Sequence, residues 1–506
     1  MKTIINLFYL IFATFSLEGQ EIGSILNVDP GSNFEVSNQT DLFIPGDNPN
    51  KTLTATIKLD SIIYTDMNNY GVIEFDRKEL YYFDAFGNVI QKETYNWDET
   101  KWKKYSKDIY IYNIISQLIT WFNYDGDSTG WVADRKADYA YNSYGDLVEA
   151  IYADADGITG WLLTYKYEYG YTSSGIKNLE ISYTYTNGSW VEQSKEEYVH
   201  NSANLPLTYI RSNWNNGQWE YVARVSYTYT ASNMLSEQLS QDWIGGAWEN
   251  NWKRTHYYDA NENDTLELKH EWNASSWEND RRFWQKFDSQ NNLLIRTDEY
   301  WSSNYWVKSY KWEYIYNLYN QRDEMYFYTA TGSSWKYSSH YSYQYDSGGN
   351  MTEQVRAYWN GSSWVNSEKR LWAYDLTFDV TDIWIPENYH EVSKLDEVKN
   401  YEYDFGTWIP EDSTTYYYSA IAFGIDEYDI EESLVYPNPV INKLIVITNS
   451  TIEKTVHVYD LAGGEVMVLH THDFYVEIDF SALVNGVYFI RVDQANKVTV
   501  NKVVKQ

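Results

Sequence analysis

The chain has 506 residues, a formal net charge of −33 and no cysteine. The charge argues against a nucleic-acid partner, because phosphate binding needs a basic surface, and the lack of cysteine excludes disulfides and thiolate chemistry. The 52 Tyr and 23 Trp favour strands, so the composition predicts an all-β protein.

The amino end has the pattern of a signal peptide. Lys2 precedes an apolar run, Ile4–Phe15, which is too short to span a bilayer but typical of a signal-peptide core. We therefore expect residues 1–20 to be a signal peptide, and no membrane span after its removal. Residues 21–70 contain turn-rich pieces and one strand-like run, Leu53–Ile63. We interpret them as a leader and a cap on the first repeat.

Residues 71–420 contain a repeat of 29 residues. In most units two aromatic residues, usually Trp, flank about four turn-forming residues, as in WNGSSW. A further aromatic residue such as Tyr345 precedes an Asp or Asn turn. This layout predicts a hairpin whose flanking Trp residues meet across the strands. The second Trp residues that define the repeat include Trp219, Trp248, Trp277, Trp306, Trp335 and Trp364.

Alternation along each strand predicts one aromatic face and one polar face. An open sheet of this kind would expose a continuous apolar stripe, which soluble proteins avoid. We therefore expect an elongated, coiled antiparallel sheet of roughly 22 strands, either a superhelix or a curled shell. A propeller is disfavoured, because a four-stranded blade needs about 40 residues. The residues predicted to share the aromatic face of one strand are Trp219, Tyr221, Ala223, Val225, Tyr227 and Tyr229.

The turn Tyr345-Asp-Ser-Gly-Gly-Asn350 resembles the YD repeats of RHS-type proteins, and the resemblance covers most of residues 83–375. It implies a large coiled β-sheet shell in a secreted or surface-associated protein. The period is longer here, and the Trp pair is not part of that pattern. After Asp375 the pattern decays. We interpret Trp384-Ile-Pro386 and Trp408-Ile-Pro410 as half-units whose Pro closes the sheet edge, and residues 421–432 as a linker.

Residues 433–506 lack Trp, and their short β-branched strands predict a small β-sandwich. Their motifs resemble the type A C-terminal sorting domain of the type IX secretion system of Bacteroidetes-type bacteria. The resemblance implies an Ig-like fold, recognition by the secretion machinery, and a secreted or outer-surface location. The residues that carry it are Tyr436, Pro437, Asn438, Pro439, Leu444, Tyr459, Asp460, Gly463, Leu483, Gly486, Tyr488, Lys502 and Lys505.

The sequence contains no recognisable catalytic motif. We therefore expect that the protein is not an enzyme and that it binds no cofactor. Three Asp-rich turns, at 125–127, 154–156 and 259–264, are alternative calcium sites, but none has the Glu that completes an EF-hand loop. His470-x-His472-Asp473 is better explained as an exposed polar edge than as a metal site.

We expect a monomeric, non-enzymatic binding or adhesive module for a glycan or a surface protein. The alternatives are a secreted hydrolase acting on polysaccharide and a purely structural surface protein. An enzyme needs several polar groups in one pocket at non-periodic positions, whereas a repeat binder shows the same exposed residues in unit after unit. The Trp periodicity favours packing over an exposed glycan platform.

Overall fold

The computed structural model describes residues 55–67, 73–84, 86–113, 115–128, 130–157, 160–386, 393–421, 434–436, 440, 442–447, 453–461, 463–472, 475–494 and 497–505. These residues all belong to one compact unit, residues 45–506. The predicted signal peptide, most of the leader and nearly all of the linker lie outside the described residues.

The described part of the repeat array consists almost entirely of strands, with one short 3₁₀ helix, η1 (Val380–Asp382). The strands are β1 (Ile57–Met67), β2 (Ile73–Phe83), β3 (Val89–Trp97), β4 (Trp102–Tyr112), β5 (Leu118–Gly126), β6 (Trp131–Tyr141), β7 (Leu147–Ala155), β8 (Trp161–Tyr171), β9 (Lys177–Thr186), β10 (Ser189–His200), β11 (Pro206–Asn215), β12 (Gln218–Tyr229), β13 (Leu235–Ile244), β14 (Ala247–Tyr258), β15 (Asp264–Trp272), β16 (Trp277–Phe287), β17 (Leu293–Ser302), β18 (Tyr305–Tyr316), β19 (Arg322–Thr331), β20 (Ser334–Tyr345), β21 (Met351–Trp359), β22 (Trp364–Asp379), β23 (Ile383–Trp384), β24 (Ser393–Asp404) and β25 (Thr407–Ala420).

These strands form one sheet, and 24 of them close into a ring. Each long strand pairs antiparallel with the next along the chain, and β25 also pairs antiparallel with β1, where Tyr416 lies opposite Ile62. The predicted all-β antiparallel array is confirmed, and the closed ring of 24 strands corresponds to the expected curled shell rather than to the elongated superhelix of roughly 22 strands. Closure leaves no pair of exposed sheet edges, which an open coil would have. The strand that closes the ring is β1, from the segment interpreted as a cap.

A long insertion between β22 and β24 seals the seam between the first and last units. Its strand β23 pairs parallel with β1, so that Ile383 lies opposite Ile57. The indole of Trp384 covers Gly87, where an added Cβ would lie 2.9 Å from the indole nitrogen and where φ is +79°. The buried core of the seam consists of Leu59, Ile62, Tyr81, Phe83, Ile383, Ile385 and Leu395.

The half-unit interpretation is therefore wrong for both Pro motifs. Trp384 and Ile385 pack into the seam, and Trp408-Ile-Pro410 lies inside β25, which is paired on both sides. Pro410 does not end the sheet. It lies opposite Tyr401 of β24 and outside the part of β25 that pairs with β1, so its missing N–H removes no hydrogen bond from the β1 pairing.

The ring is one layer thick. Contacts between strands that are not paired are sparse in the part of the chain that the structure describes. About eight strands enclose an interior that side chains can fill, and a ring of 24 strands is far wider. Each face of the sheet must therefore be stabilised by side chains that pack on neighbours of the same face.

A β-bulge in every unit overturns the predicted single aromatic face. In β12, Tyr221 lies opposite Ser212 and Ala223 lies opposite Arg211, so Val222 is an extra residue. An extra residue transfers all later side chains to the other face. Trp219, Tyr221 and Arg224 therefore project from one side, which we name the Trp face. Ala223, Val225, Tyr227 and Tyr229 project from the other, which we name the Tyr face. The same bulge recurs in the other Trp hairpins.

On the Tyr face, the last tyrosine of each strand bonds to the previous unit. Its hydroxyl donates to a backbone carbonyl 23 or 24 residues earlier, at 2.7–3.1 Å. Where Phe287 replaces this tyrosine, the side-chain amide of Gln285 donates to the Asp264 carbonyl instead. The donors of this ladder are Tyr112, Tyr141, Tyr171, Tyr229, Tyr258, Tyr316, Tyr345 and Tyr418.

The turns that follow these tyrosines are bonded to each other along one rim of the ring. Within a turn, the Asp346 carboxylate accepts from the backbone N–H groups of Gly348 and Asn350, as expected for Asp or Asn at this position. Between turns, the Asn263 amide donates to Asn291 at 3.0 Å and the Gln117 amide donates to the Gly145 carbonyl at 2.9 Å. These bonds fix the register between units.

The carboxyl-terminal region forms two sheets around one apolar core. The strands are β26 (Leu434–Tyr436), β27 (Lys443–Ile447), β28 (Lys454–Asp460), β29 (Glu465–Thr471), β30 (Tyr475–Asp479), β31 (Gly486–Gln494) and β32 (Lys497–Lys505). The sheet order is β26-β27-β30 in one and β29-β28-β31-β32 in the other. Leu444 and Ile478 of the first sheet pack with Val458 and Ile490 of the second.

Replacing Tyr229 by Phe tests the tyrosine ladder. The change leaves the Pro206 carbonyl without its donor, so the free energy of unfolding should fall by about 1 kcal/mol. Chemical denaturation measures it. The control is Tyr227→Phe, two residues earlier on the same face, because the structure shows no hydrogen bond from that hydroxyl within the described residues. Equal effects of the two variants would contradict the ladder.

Closure of the ring can be tested by crosslinking, because the chain has no cysteine of its own. Ile63 and Thr415 lie opposite each other across the β1–β25 pair. The double variant Ile63→Cys/Thr415→Cys should form an intramolecular crosslink with a short bis-thiol reagent, seen as a mobility shift in denaturing gels. The pair Ile63→Cys/Thr255→Cys should not crosslink, since Thr255 lies on β14. An open coil predicts no crosslink in either protein.

Candidate functional site

The Trp residues that define the repeat meet at the hairpin ends. Trp219 packs edge-to-face on Trp214 with ring centroids 5.0 Å apart. The same geometry, at 5.0–5.1 Å, holds for Trp248 with Trp243, Trp277 with Trp272, Trp306 with Trp301, and Trp364 with Trp359. Trp335 faces Ala330 instead. All six are half-buried.

A cation covers most of these Trp rings from the preceding unit. Arg224 lies 4.7 Å from the Trp248 ring centroid and Arg282 lies 4.7 Å from that of Trp306. The basic residue stands five positions after the preceding Trp, and His340 takes that place before Trp364, at 5.5 Å. Cation–π contacts of this kind contribute about 0.5–1 kcal/mol each. The periodic Trp residues are thus largely engaged in contacts between units.

A pocket of about 430 Å³ opens where the repeat becomes irregular, across β20, β21, β22, β24 and β25. Its position coincides with the one long gap in the Trp series, the 44 residues from Trp364 to Trp408. The pocket is polar, with two tyrosines in its wall. The lining residues are Tyr341, Gln354, Arg356, Glu368, Lys369, Arg370, Asn400, Tyr401, Glu411 and Asp412.

Strand register assigns most of these side chains to the Tyr face. Arg356 lies opposite Tyr341 on one side and Glu368 on the other, and Arg370 lies opposite Gln354 and Asn400. Lys369 and Tyr401 are the neighbours of these residues along their strands, so alternation directs them to the Trp face. There, the Lys369 ammonium lies 4.7 Å from the Tyr401 ring centroid.

Two hydrogen-bonded chains order the pocket. Arg356 donates to the Glu368 carboxylate at 2.6 Å. Arg370 donates to the Asn400 carbonyl oxygen at 2.5 Å, and the Asn400 amide donates to Asp412 at 2.6 Å. The structure shows no hydrogen bond or ion pair for Gln354 or Glu411 within the described residues. Both side chains therefore remain available to a ligand.

Glu411 is the extra residue of the bulge in β25. Partial burial, followed by the charges of Asp412, Glu402, Glu368 and Asp66, raises the pKa of its carboxyl. Two guanidinium groups and three carboxylates thus line the Tyr-face side of the pocket. The sequence analysis missed all of these residues, because each lies in an ordinary polar position of its strand.

The motif residues of the carboxyl-terminal region are placed in its core and turns. Leu444 is fully buried, and Leu483 packs against the same core. The Asp460 carboxylate accepts from the Gly464 N–H at 2.8 Å, in a turn where Gly463 has φ +85°. The buried Tyr488 donates to the Val484 carbonyl at 2.7 Å.

The remaining motif residues mark strand ends. Tyr436 ends β26, Tyr459 lies near the end of β28, and Gly486 begins β31. Lys502 and Lys505 lie on β32, where Lys502 is exposed and Lys505 is buried. Pro437, Asn438 and Pro439 lie outside the described residues.

A family model for the secretion system C-terminal sorting domain matches residues 434–506. This region is a type IX sorting domain. The protein is therefore exported by the type IX system and is located at the outer cell surface. The predicted recognition of this tail by the secretion machinery follows from the same match. Among the described residues, no helix is both long and apolar enough to cross a membrane.

The comparison with curated proteins found no match, and the solved structures that are similar resemble this chain only weakly. A protein of unknown function from Bacteroides fragilis is 16% identical, over 24% of this chain and 91% of its own, with a TM-score of 0.20. A porin-like protein from Bacteroides uniformis is 9% identical, over 50% and 94%, with a TM-score of 0.22. PorZ of Porphyromonas gingivalis is 10% identical, over 88% and 81%, with a TM-score of 0.15. We draw no conclusion from likenesses at this level.

The Asp-rich turns use their carboxylates within the turn. Asp127 accepts from the Gly130 N–H, Asp156 from the Gly160 N–H, and Asp259 from the N–H groups of Asn261 and Asn263. Near the end of the sorting domain's edge strand β29, His470 bonds to Thr455. Within the described residues, no group of three or more His, Asp or Glu side chains is arranged to hold a metal ion. The expectation of no cofactor, with calcium at these turns as the alternative, stays a prediction.

Replacing Glu411 by Gln should stabilise the protein at neutral pH. A raised pKa in the folded state means that the ionised carboxylate is disfavoured there, so stability is lost as the pH rises through the folded pKa. The variant should melt at a higher temperature than the wild type at pH 7.5, and the gain should disappear near pH 4. Glu249→Gln, at an exposed position of a regular unit, should change little. A gain that is independent of pH would contradict the assignment.

Proposed function

We propose that the protein is a glycan-binding module displayed on the cell surface, and that the pocket across β20–β25 binds a neutral sugar. The observation that carries the proposal is the unused hydrogen-bonding capacity of Gln354 and Glu411 beside an ordered network of polar groups. A sugar offers both donors and acceptors, and it matches a site that presents both.

The chemistry of the pocket favours a neutral ligand over a charged one. The guanidinium groups of Arg356 and Arg370 are already bonded to Glu368 and Asn400. Both guanidinium groups are thus partly engaged, and the carboxylates of Glu411 and Asp412 would repel an anion. A cationic ligand would have to compete with the guanidinium groups of Arg356 and Arg370 for the carboxylates of the pocket.

The wall and location of the pocket support the same class of ligand. Tyr341 contributes an aromatic ring, and rings of this kind pack against the apolar C–H face of a pyranose. A cavity of about 430 Å³ is within the usual size of a small-molecule site. The sorting domain places the array outside the cell, where polysaccharides are abundant.

A second candidate is a hydrolase acting on polysaccharide. It is favoured by the raised pKa of Glu411, since a glycosidase acid needs a carboxyl that stays protonated, next to a second carboxylate such as Asp412 or Glu368. Release of reducing ends from soluble polysaccharides by the wild type, abolished in Glu411→Gln, would favour this candidate. Binding of a polysaccharide without release of reducing ends would favour the glycan-binding module.

Asn400→Ala tests the binding function. The change removes the bridge between Arg370 and Asp412, so affinity for the bound glycan should fall about tenfold, equal to about 1.4 kcal/mol. Binding of the full-length exported protein to a neutral glycan array, followed by calorimetry, measures it. Asn250→Ala is the matched control, because Asn250 accepts a similar bond from Gln241 in a regular unit. No glycan binding by the wild type would overturn the proposal.

A further inference from the structure

Tyr358 is an exposed aromatic residue beside the pocket. Its side chain is 47% exposed. It stands two residues after Arg356 on β21, and the bulge at this level lies on β22 rather than on β21. The two side chains therefore project from the same Tyr face, about 7 Å apart along the strand. Tyr358 lies on the side of the pocket that leads to the Trp hairpins.

The ring of Tyr358 has no partner that would explain its position. Ser339 lies opposite on β20 and Val365 on β22. Ser339 has a short side chain, which can cover little of the ring. Within the described residues, the structure shows no hydrogen bond, ring contact or cation contact for Tyr358.

The repeat itself does not require a tyrosine at this place. The equivalent position, just before the first residue of the Trp pair, holds polar residues in several regular units: Asn213, Asp242, Glu271 and Thr329. The packing of a unit is therefore satisfied without an aromatic ring here. Tyr300 also occupies this position, away from the pocket, so what distinguishes Tyr358 is its place on the Tyr face two residues from Arg356 of the pocket.

We propose that Tyr358 is a second sugar subsite, and that the ligand is a glycan chain rather than a single sugar. This inference rests on the proposed function. One residue of the chain occupies the pocket, and the next stacks its C–H face on the Tyr358 ring as the chain runs toward the Trp hairpins.

A glycan array that carries monosaccharides and oligomers of the same neutral series, from cello-, chito-, manno- and xylo-oligosaccharides, tests the inference. The full-length protein should bind an oligomer about three- to tenfold more tightly than its monosaccharide, the amount expected for one aromatic contact. Tyr358→Ala should lose this gain and keep the affinity for the monosaccharide. Tyr358→Trp should retain the gain.

Tyr300→Ala is the matched control. Tyr300 holds the same repeat position two units earlier and is 44% exposed, but it does not line the pocket. The Tyr300→Ala variant should leave the affinities for the monosaccharide and for the oligomer unchanged. Equal binding of monosaccharide and oligomer by the wild type, or equal losses in the two variants, would overturn this inference and leave the proposed function standing. If no sugar binds to the wild type, both fail.

Discussion

The β-bulge that follows each Trp hairpin is the constraint on which the array depends. Without it, Trp219 and Tyr229 would share one face, and the other face of a single-layer sheet would have no apolar cover. The extra residue at Val222 divides the aromatic residues between the two faces. Each face then has its own contacts between units: cations on Trp rings on one side, and tyrosine hydroxyls on backbone carbonyls on the other. Bulges also increase strand twist, which helps a long sheet to curve and close.

Closure makes the first and last units interdependent. The rim of bonded turns and the tyrosine ladder connect only neighbouring units. They fix the register between those units but leave the array with two free ends. The β1–β25 pair removes those ends, and Leu59, Ile383 and Leu395 bury the junction. The stretch after Asp375 is irregular because a sequence that joins two different units cannot follow the repeat. The same irregularity frees the positions that line the pocket.

The sequence predicted the elements whose signal is local. The Trp pairs, the Asp or Asn turns such as that of Asp346, the hairpin order and the sorting domain each depend on residues close in the chain. The bulge leaves the period of 29 residues unchanged, so alternation alone assigned Tyr229 to the wrong face. The sequence did contain one signal of the bulge. A basic residue such as Arg224 stands five positions after Trp219, and on a regular strand this odd spacing would put it on the face opposite the Trp rings. Arg224 can reach the next Trp ring only because the bulge shifts the register. Closure and the pocket depend on residues distant in sequence, such as Tyr341 and Asp412, and no local pattern joins them.

Periodicity also separates the residues that build the array from those that are available for binding. A position occupied by the same residue type in every unit is committed to a contact between units, as Arg282 is to Trp306. Substituting it costs stability wherever it stands, and its ring or charge is already in use. Glu411, Gln354 and Tyr358 are free of such contacts within the described residues. We therefore propose that recognition by this protein concentrates beside the pocket, where such uncommitted side chains lie close together on a fixed sheet.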